Sequence, residues 1–131
     1  MKRLSLNTSD HTQFVDMTRL VQQEVSKAGL EDGIVTIFIP HTTAGVMIQE
    51  NADPDVQHDL KYLFEKMMPW KDEAYDHAEG NTAAHMKAAC VGSSAHVIVE
   101  SGQLQLGTWQ GIYFCEFDGP RSRQVWVKFS K

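Results

Sequence analysis

The run Gly33-Ile34-Val35-Thr36-Ile37-Phe38-Ile39-Pro40 sets the frame for the rest of the chain. β-Branched and aromatic residues lose rotamer freedom in a helix and pack well on a pleated surface, so the run favours an extended strand. It is apolar at both parities and ends at a proline, which cannot donate into a ladder. Such a pattern predicts an interior strand. The remainder of a 131-residue chain must supply its neighbours and its cover. That length suits one core, so residues 1–131 are predicted to form a single domain.

Candidate neighbours are easy to find. Lys2 to Thr8 alternates Leu4 and Leu6 with polar residues, and Ala44 to Ile48, Ala95 to Glu100, Trp109 to Phe117 and Ser122 to Phe129 carry further strand patterns. Asp118-Gly119-Pro120 reads as the turn joining the last two. Three segments have helical spacing. From Thr12 to Ala28, Phe14, Met17, Val21, Val25 and Ala28 recur at three- and four-residue steps, with Asp10 and Gln13 as a capping pair and Gly29 as a stop. A second helix is predicted from Pro54 to Pro69, capped by Asp53, with an inward stripe of Val56, Leu60, Leu63, Phe64 and Met67. A short third helix runs from Asn81 or Thr82 to Gly92. Trp70 to Glu79 is polar and irregular. Grouped strands followed by a mainly antiparallel carboxyl half predict a compact α+β domain with sandwich-like sheets and three helices.

The net charge of −5 repels phosphate backbones and anionic membranes, so a nucleic-acid or membrane partner is not expected and any phosphate site must be local. Two basic residues at the amino end lead into no apolar run, since Asn7, Thr8, Ser9 and Asp10 soon follow, and no apolar stretch is long enough to span a bilayer. Cys90 and Cys115 lack CxxC spacing and sit among apolar neighbours, so both are expected to be buried reduced thiols. A cytoplasmic protein is expected.

Polar residues gather in three places where strands end. The first is His41-Thr42-Thr43 with Glu50-Asn51 behind it; the second is Asp76-His77-Ala78-Glu79-Gly80-Asn81 with His85; the third is Glu116 to Arg123, preceded by Trp109-Gln110. Imidazole is the commonest metal ligand, and His77 and His85 flank the start of the short helix, so both could face one ion with His41 as a third ligand. The alternative is a cap, a core hydrogen-bonding group and a surface residue. His11, His58 and His96 are expected at solvent or at an interface. Arg121 and Arg123 are two apart and could fork onto one anion, or could form separate ion pairs with Glu116 and Asp118. Glu79, Glu50 and Glu116 are candidate bases or supports for a metal, Glu79 first among them because it lies between two histidines. Trp109 could stack a heteroaromatic ring or serve as core or interface.

Taken together, HTTAGVMIQENADPDV, DHAEGNTAAHMKA, GQLQLGTWQGIYFCEFDGPR and RQVWVK resemble the YjbQ family over essentially the whole chain. Gln49, where relatives carry asparagine, is a mild departure. The resemblance implies a homotrimer with pockets where subunits meet, a divalent metal held by histidines, zinc above all, and a secondary thiamine-phosphate synthase activity. Carried over by position, it places metal ligands at His41, His77 and His85. Glu79, Glu116, Arg121 and Arg123 become the candidate catalytic groups, and Thr42, Thr43, Asn51, Asn81, Trp109, Gln110 and Asp118 the substrate-binding ones. The implied reaction joins a pyrimidine methyl diphosphate, with magnesium, to a thiazole phosphate and releases diphosphate. The same pocket could instead hydrolyse a small phosphate ester, or hold a ligand and a structural ion without catalysis.

Overall fold

A computed structural model describes residues 1–131. The chain forms β1 (Lys2–Asn7), β2 (Gln13–Asp16), α1 (Thr18–Ala28), β3 (Gly33–Phe38), β4 (Ala44–Glu50), α2 (Pro54–Met67), α3 (Thr82–Val91), β5 (Ser94–Glu100), β6 (Gln103–Leu104), β7 (Gln110–Glu116) and β8 (Ser122–Ser130). Five strands make one antiparallel sheet in the order β1-β8-β3-β5-β6, and three make a second in the order β2-β7-β4. The expected α+β class, antiparallel sheets and three helices are all present. No helix is long and apolar enough to cross a membrane.

The sheets stack face to face. Val35, Ile37, Val97, Val99, Val125 and Val127 of the larger sheet meet Val46, Ile112 and Phe114 of the smaller one, and α1 closes the layer with Val21 and Val25. Cys115 and Phe117 turn to the opposite side of the small sheet with Phe14 and Tyr113, where Ala84 and Ala88 of α3 and the half-buried Leu60 and Phe64 of α2 cover them. The small sheet is therefore a middle layer. Each fully buried aliphatic or aromatic side chain here contributes about 1.5–3 kcal/mol relative to exposure.

β3 takes the interior place its sequence predicts. It is interior in strand order, between β8 and β5, but only one of its faces is covered: Ile34 and Phe38 look outward and are 44% and 40% exposed. The strand covered on both faces is β7, buried from Gly111 through Glu116. The amino end of the first predicted helix is corrected. Residues 13–16 pair with β7 as a strand, Phe14 opposite Cys115 and Val15 opposite Phe114, so alternating burial overrides the helical spacing. Gln13 does not cap a helix; its Oε1 accepts from the Ser9 and Asp10 amides and shapes the loop. The helix starts at Thr18, whose amide and hydroxyl both donate to Asp16 Oδ1, and it ends at Gly29 in the left-handed conformation, as expected.

Helix α2 carries the predicted cap, the Asp55 amide donating to Asp53 Oδ1 with Pro54 in the first turn. Its stripe is shallower than its spacing implies. Val56, Leu60 and Phe64 are half-buried, whereas Leu63 and Met67 are exposed. Cys115 is buried, and burial pushes its thiol well up, but Cys90 is exposed at the end of α3, contrary to expectation.

Candidate functional site

The carboxyl end of β7 and the start of β8 build a sealed polar knot. Glu116 is fully buried. Its Oε1 accepts from the Thr8 hydroxyl at 2.7 Å and from Arg123 Nε at 2.8 Å, and its Oε2 accepts from the Asp118 amide at 3.1 Å and from Arg123 Nη2. Arg123, 6% exposed, also donates from Nη2 to the Thr43 hydroxyl at 2.9 Å. Burial alone would raise the Glu116 pKa, but hydrogen bonds from Arg123, Thr8 and the Asp118 amide, with the guanidinium charge, hold it below its usual value. A carboxylate with four donors has no free oxygen lone pair directed at a substrate, so Glu116 acts here by fixing Arg123.

Arg121 takes the neighbouring carboxylate. Its Nε donates to the Asp118 carbonyl at 2.8 Å and its Nη2 to Asp118 Oδ2 at 2.9 Å. The Asn81 amide donates to the same Oδ2 at 2.9 Å, which ties the start of α3 to the turn. These bonds, with the charges of Arg121 and His11, outweigh burial and lower the Asp118 pKa. The two arginines therefore serve separate carboxylates, one of the two arrangements open at the sequence level. Gly119 permits the packing: a Cβ there would lie 2.3 Å from the Asp10 carbonyl oxygen and 2.8 Å from Glu116 Cγ.

Beside the knot lies the histidine corner. His41 follows β3, and its Nε2 accepts from the Gln124 amide of β8 at 2.9 Å. Burial, and then the charge of Arg123, hold the imidazole below its ordinary pKa, with Glu116 pulling the other way. His41 and Arg123 line a cleft of about 470 Å³ with Thr42, Thr43 and Ser93. His41 and His85 line an adjoining cleft of about 370 Å³ floored by Ala88 and Gly92. A close backbone approach fixes this floor, since a Cβ on Gly45 would sit 2.5 Å from the Gly92 carbonyl oxygen. His77 lies edge to face with His85, ring centroids 5.3 Å apart, on the exposed loop that also carries Glu79. That loop walls a cleft of about 590 Å³ with Trp70, Asp72 and Tyr75. The residues fit a three-histidine metal centre only in part. His77 and His85 adjoin each other, yet no group of three or more His, Cys, Asp or Glu side chains is gathered to hold an ion.

The remaining candidates lie elsewhere. β4 and β7 pair with Ala44 opposite Glu116 at one end and Glu50 opposite Gln110 at the other. Six residue steps along β7 span about 20 Å, so Asn51, Trp109 and Gln110 occupy the far end of the small sheet from His41 and Arg123. There the Asn51 amide donates to the Trp109 carbonyl at 2.8 Å, the Asn51 side chain donates to Asp16 Oδ2 at 3.4 Å, and Gln110 Oε1 accepts from the Gly107 amide at 2.8 Å. Trp109 is 62% exposed.

Four participants escape sequence reasoning. Thr8 joins Glu116 to Arg121, whose amide donates to the Thr8 hydroxyl at 2.9 Å; the pairing of Asn7 with Ser122 delivers it, and nothing local marks it. Gln124 contributes only its backbone. Ser93 enters the clefts because it follows α3. His11 is exposed, as expected of a residue at solvent or an interface, but it also packs edge-on against Trp70, ring centroids 4.4 Å apart, with its Nε2 3.9 Å from Asp118 Oδ1.

A two-sheet α+β domain whose small middle sheet ends in a sealed Arg–Glu knot flanked by histidines defines the class. The chain belongs to the YjbQ family: residues 2–131 match the family described as "UPF0047 protein YjbQ-like". It is 52% identical to the UPF0047 protein YugU of Bacillus subtilis over 98% of this chain and 97% of that one. Among solved structures, it resembles a YjbQ/UPF0047-family protein of Clostridium acetobutylicum, with a TM-score of 0.96 and 52% identity over 99% of this chain and 100% of that one. A conserved hypothetical protein of Thermus thermophilus has a TM-score of 0.93 and 39% identity over 99% of this chain and 100% of that one.

Proposed function

We propose that the chain is a weak thiamine-phosphate synthase that works in a homotrimer, each pocket combining the histidine corner of one copy with the far end of the small sheet of another. The supporting observation is the gathering of His41, Thr42, His85 and Arg123 around adjoining clefts, in a chain of this family. In the reaction the bond between the pyrimidine methylene carbon and the diphosphate oxygen breaks. The diphosphate leaves with the electron pair, and the thiazole nitrogen forms the new carbon–nitrogen bond, with no proton transferred.

The leaving group needs positive charge and donors already in place where its negative charge grows. Arg123 Nη1 and Arg121 Nη1 have no protein partner and meet this need, while the carboxylates of Glu116 and Asp118 hold both guanidinium groups in fixed orientations. The diphosphate enters as its magnesium salt, so that ion belongs to the substrate. Glu79, on the exposed loop, orders water or the incoming salt. Trp109, with Asn51 and Gln110, supplies a stacking face for a heterocycle, and the separation of about 20 Å within one copy is the reason to assign this group to a neighbour.

The test mixes hydroxymethylpyrimidine diphosphate, thiazole phosphate and magnesium with the protein and measures thiamine phosphate. Product above a His85→Ala control, from a species of trimer mass in solution, is the expected result. No product above that control, or full activity from a monomer, would sink the reading.

A further inference from the structure

We propose that His41 is a hydrogen-bond donor through Nδ1 and no metal ligand, and that with Arg123 it forms a subsite for an acceptor oxygen of the phosphate or carboxylate kind. The inference concerns which nitrogen carries a proton and stands without the transferase reading.

The His41 ring takes over where a strand ladder stops. β3 pairs with β8 from Ile34 opposite Ser130 to Phe38 opposite Trp126, and two residues further along β8 the Gln124 amide meets the His41 ring. A backbone amide can only donate, so His41 Nε2 must present a lone pair to it at 2.9 Å. A neutral imidazole has one lone-pair nitrogen and one N–H, and the proton therefore sits on Nδ1.

Metal ligation needs a lone pair as well. An ion at Nε2 would displace the Gln124 amide and leave it unpaired. An ion at Nδ1 would demand that both nitrogens be deprotonated. Histidines that bind metals have the reverse arrangement, the second nitrogen donating to a carboxylate or carbonyl. No group of three His, Cys, Asp or Glu side chains that could hold an ion includes His41, whereas His77 and His85 adjoin each other.

What His41 can offer is a donor. Arg123 offers another in the same cleft, because its Nε and Nη2 are taken by Glu116 and Thr43 while Nη1 has no protein partner and is not sealed from the cleft. Thr42 and Ser93, each with a hydroxyl, line the same space. Two N–H donors and two hydroxyls suit an oxygen that accepts several bonds.

Long-range proton–nitrogen spectra of protein labelled with nitrogen-15 histidine, recorded near neutral pH, read the tautomer of His41 directly. The expected result is a protonated Nδ1 and an unprotonated Nε2, unmoved by added zinc but shifted by inorganic phosphate. In parallel, His41→Ala should retain the zinc content of the unmodified protein while His85→Ala loses its zinc. A proton on Nε2, a His41 signal displaced by zinc, no response to phosphate, or zinc lost equally from both variants would overturn the proposal. If His41→Ala fails to fold, or the unmodified protein takes up no zinc, the tautomer and the phosphate response decide alone.

Discussion

Glu116 with Arg123, and His77 with Glu79, are polar groups of similar chemistry held in opposite ways. The first pair is buried in the protein except at Arg123 Nη1, each charge met by its partner and by hydroxyl or amide donors; the second stands on an exposed loop before α3. A buried charge left without its partner is strongly destabilising, so the sealed pair can change little and serves to hold geometry. Exposed groups contribute little to folding and remain open to exchange ligands. One region sets directions, and the other is available to whatever arrives.

Removing Arg123 breaks this contrast most severely. Arg123→Ala strands the Glu116 carboxylate in the interior and should lower stability by about 3–5 kcal/mol, measured by urea unfolding. A loss below about 1 kcal/mol would mean that water reaches Glu116 and that the knot is not sealed.

Acid gives the next largest effect. The pKa values of Glu116 and Asp118 are lowered from ordinary values of 4.5 and 3.8, so the unfolded chain binds protons more readily than the folded one. Their stabilisation is complete above those ordinary values and is lost as pH falls through the depressed ones. His41, lowered from 6.5, adds an earlier loss as pH drops below that value, since the folded protein resists charging the ring. Thermal melts across this range should show two steps, and His41→Gln should remove the upper one alone.

A smaller change sharpens the boundary of the knot. Thr8→Val keeps the shape but removes the hydroxyl that donates to Glu116 and accepts from the Arg121 amide, which should cost about 1–3 kcal/mol. Chemical unfolding with and without a second Glu116→Gln change would show whether the two sites couple, as neighbours in one network do. Smallest of all, His77→Ala should move stability by no more than about 0.5 kcal/mol. Thiamine phosphate formation should nevertheless fall. A large loss of stability in this variant would place His77 among the structural groups and erase the contrast.

Much of the fold can be read along the chain because local signals and global packing agree in particular places. Asp53 and Pro54 start α2 and Gly29 ends α1 as their chemistry requires. Where they disagree, burial wins. Phe14 has helical spacing to Met17 and Val21, yet it pairs across a sheet with Cys115, because the strand places it against Phe117 and Phe64. The apolar run of β3 resembles a strand covered on both sides, but the deciding cover comes from α2 and α3, and they sit over the small sheet instead. For the site, residue types were legible and partners were not. Spacing alone puts Arg121 and Arg123 on a shared face, but Arg121 precedes β8 and turns to Asp118 while Arg123 enters the core. Thr8 and the Gln124 amide have no local signature, since their roles arise only from the register of β8 with β1 and β3.

The bond from Thr8 to Glu116 reaches across 108 positions of sequence. During synthesis α1, α2 and α3 can form and β3 can pair with β5 while the Glu116 carboxylate has yet to be made, whereas β4 still waits for β7, so the knot closes only after these elements are in place. The fixed orientation of Arg123 is therefore acquired late, when the segment around Thr8 has met the segment that carries Glu116 and Arg121.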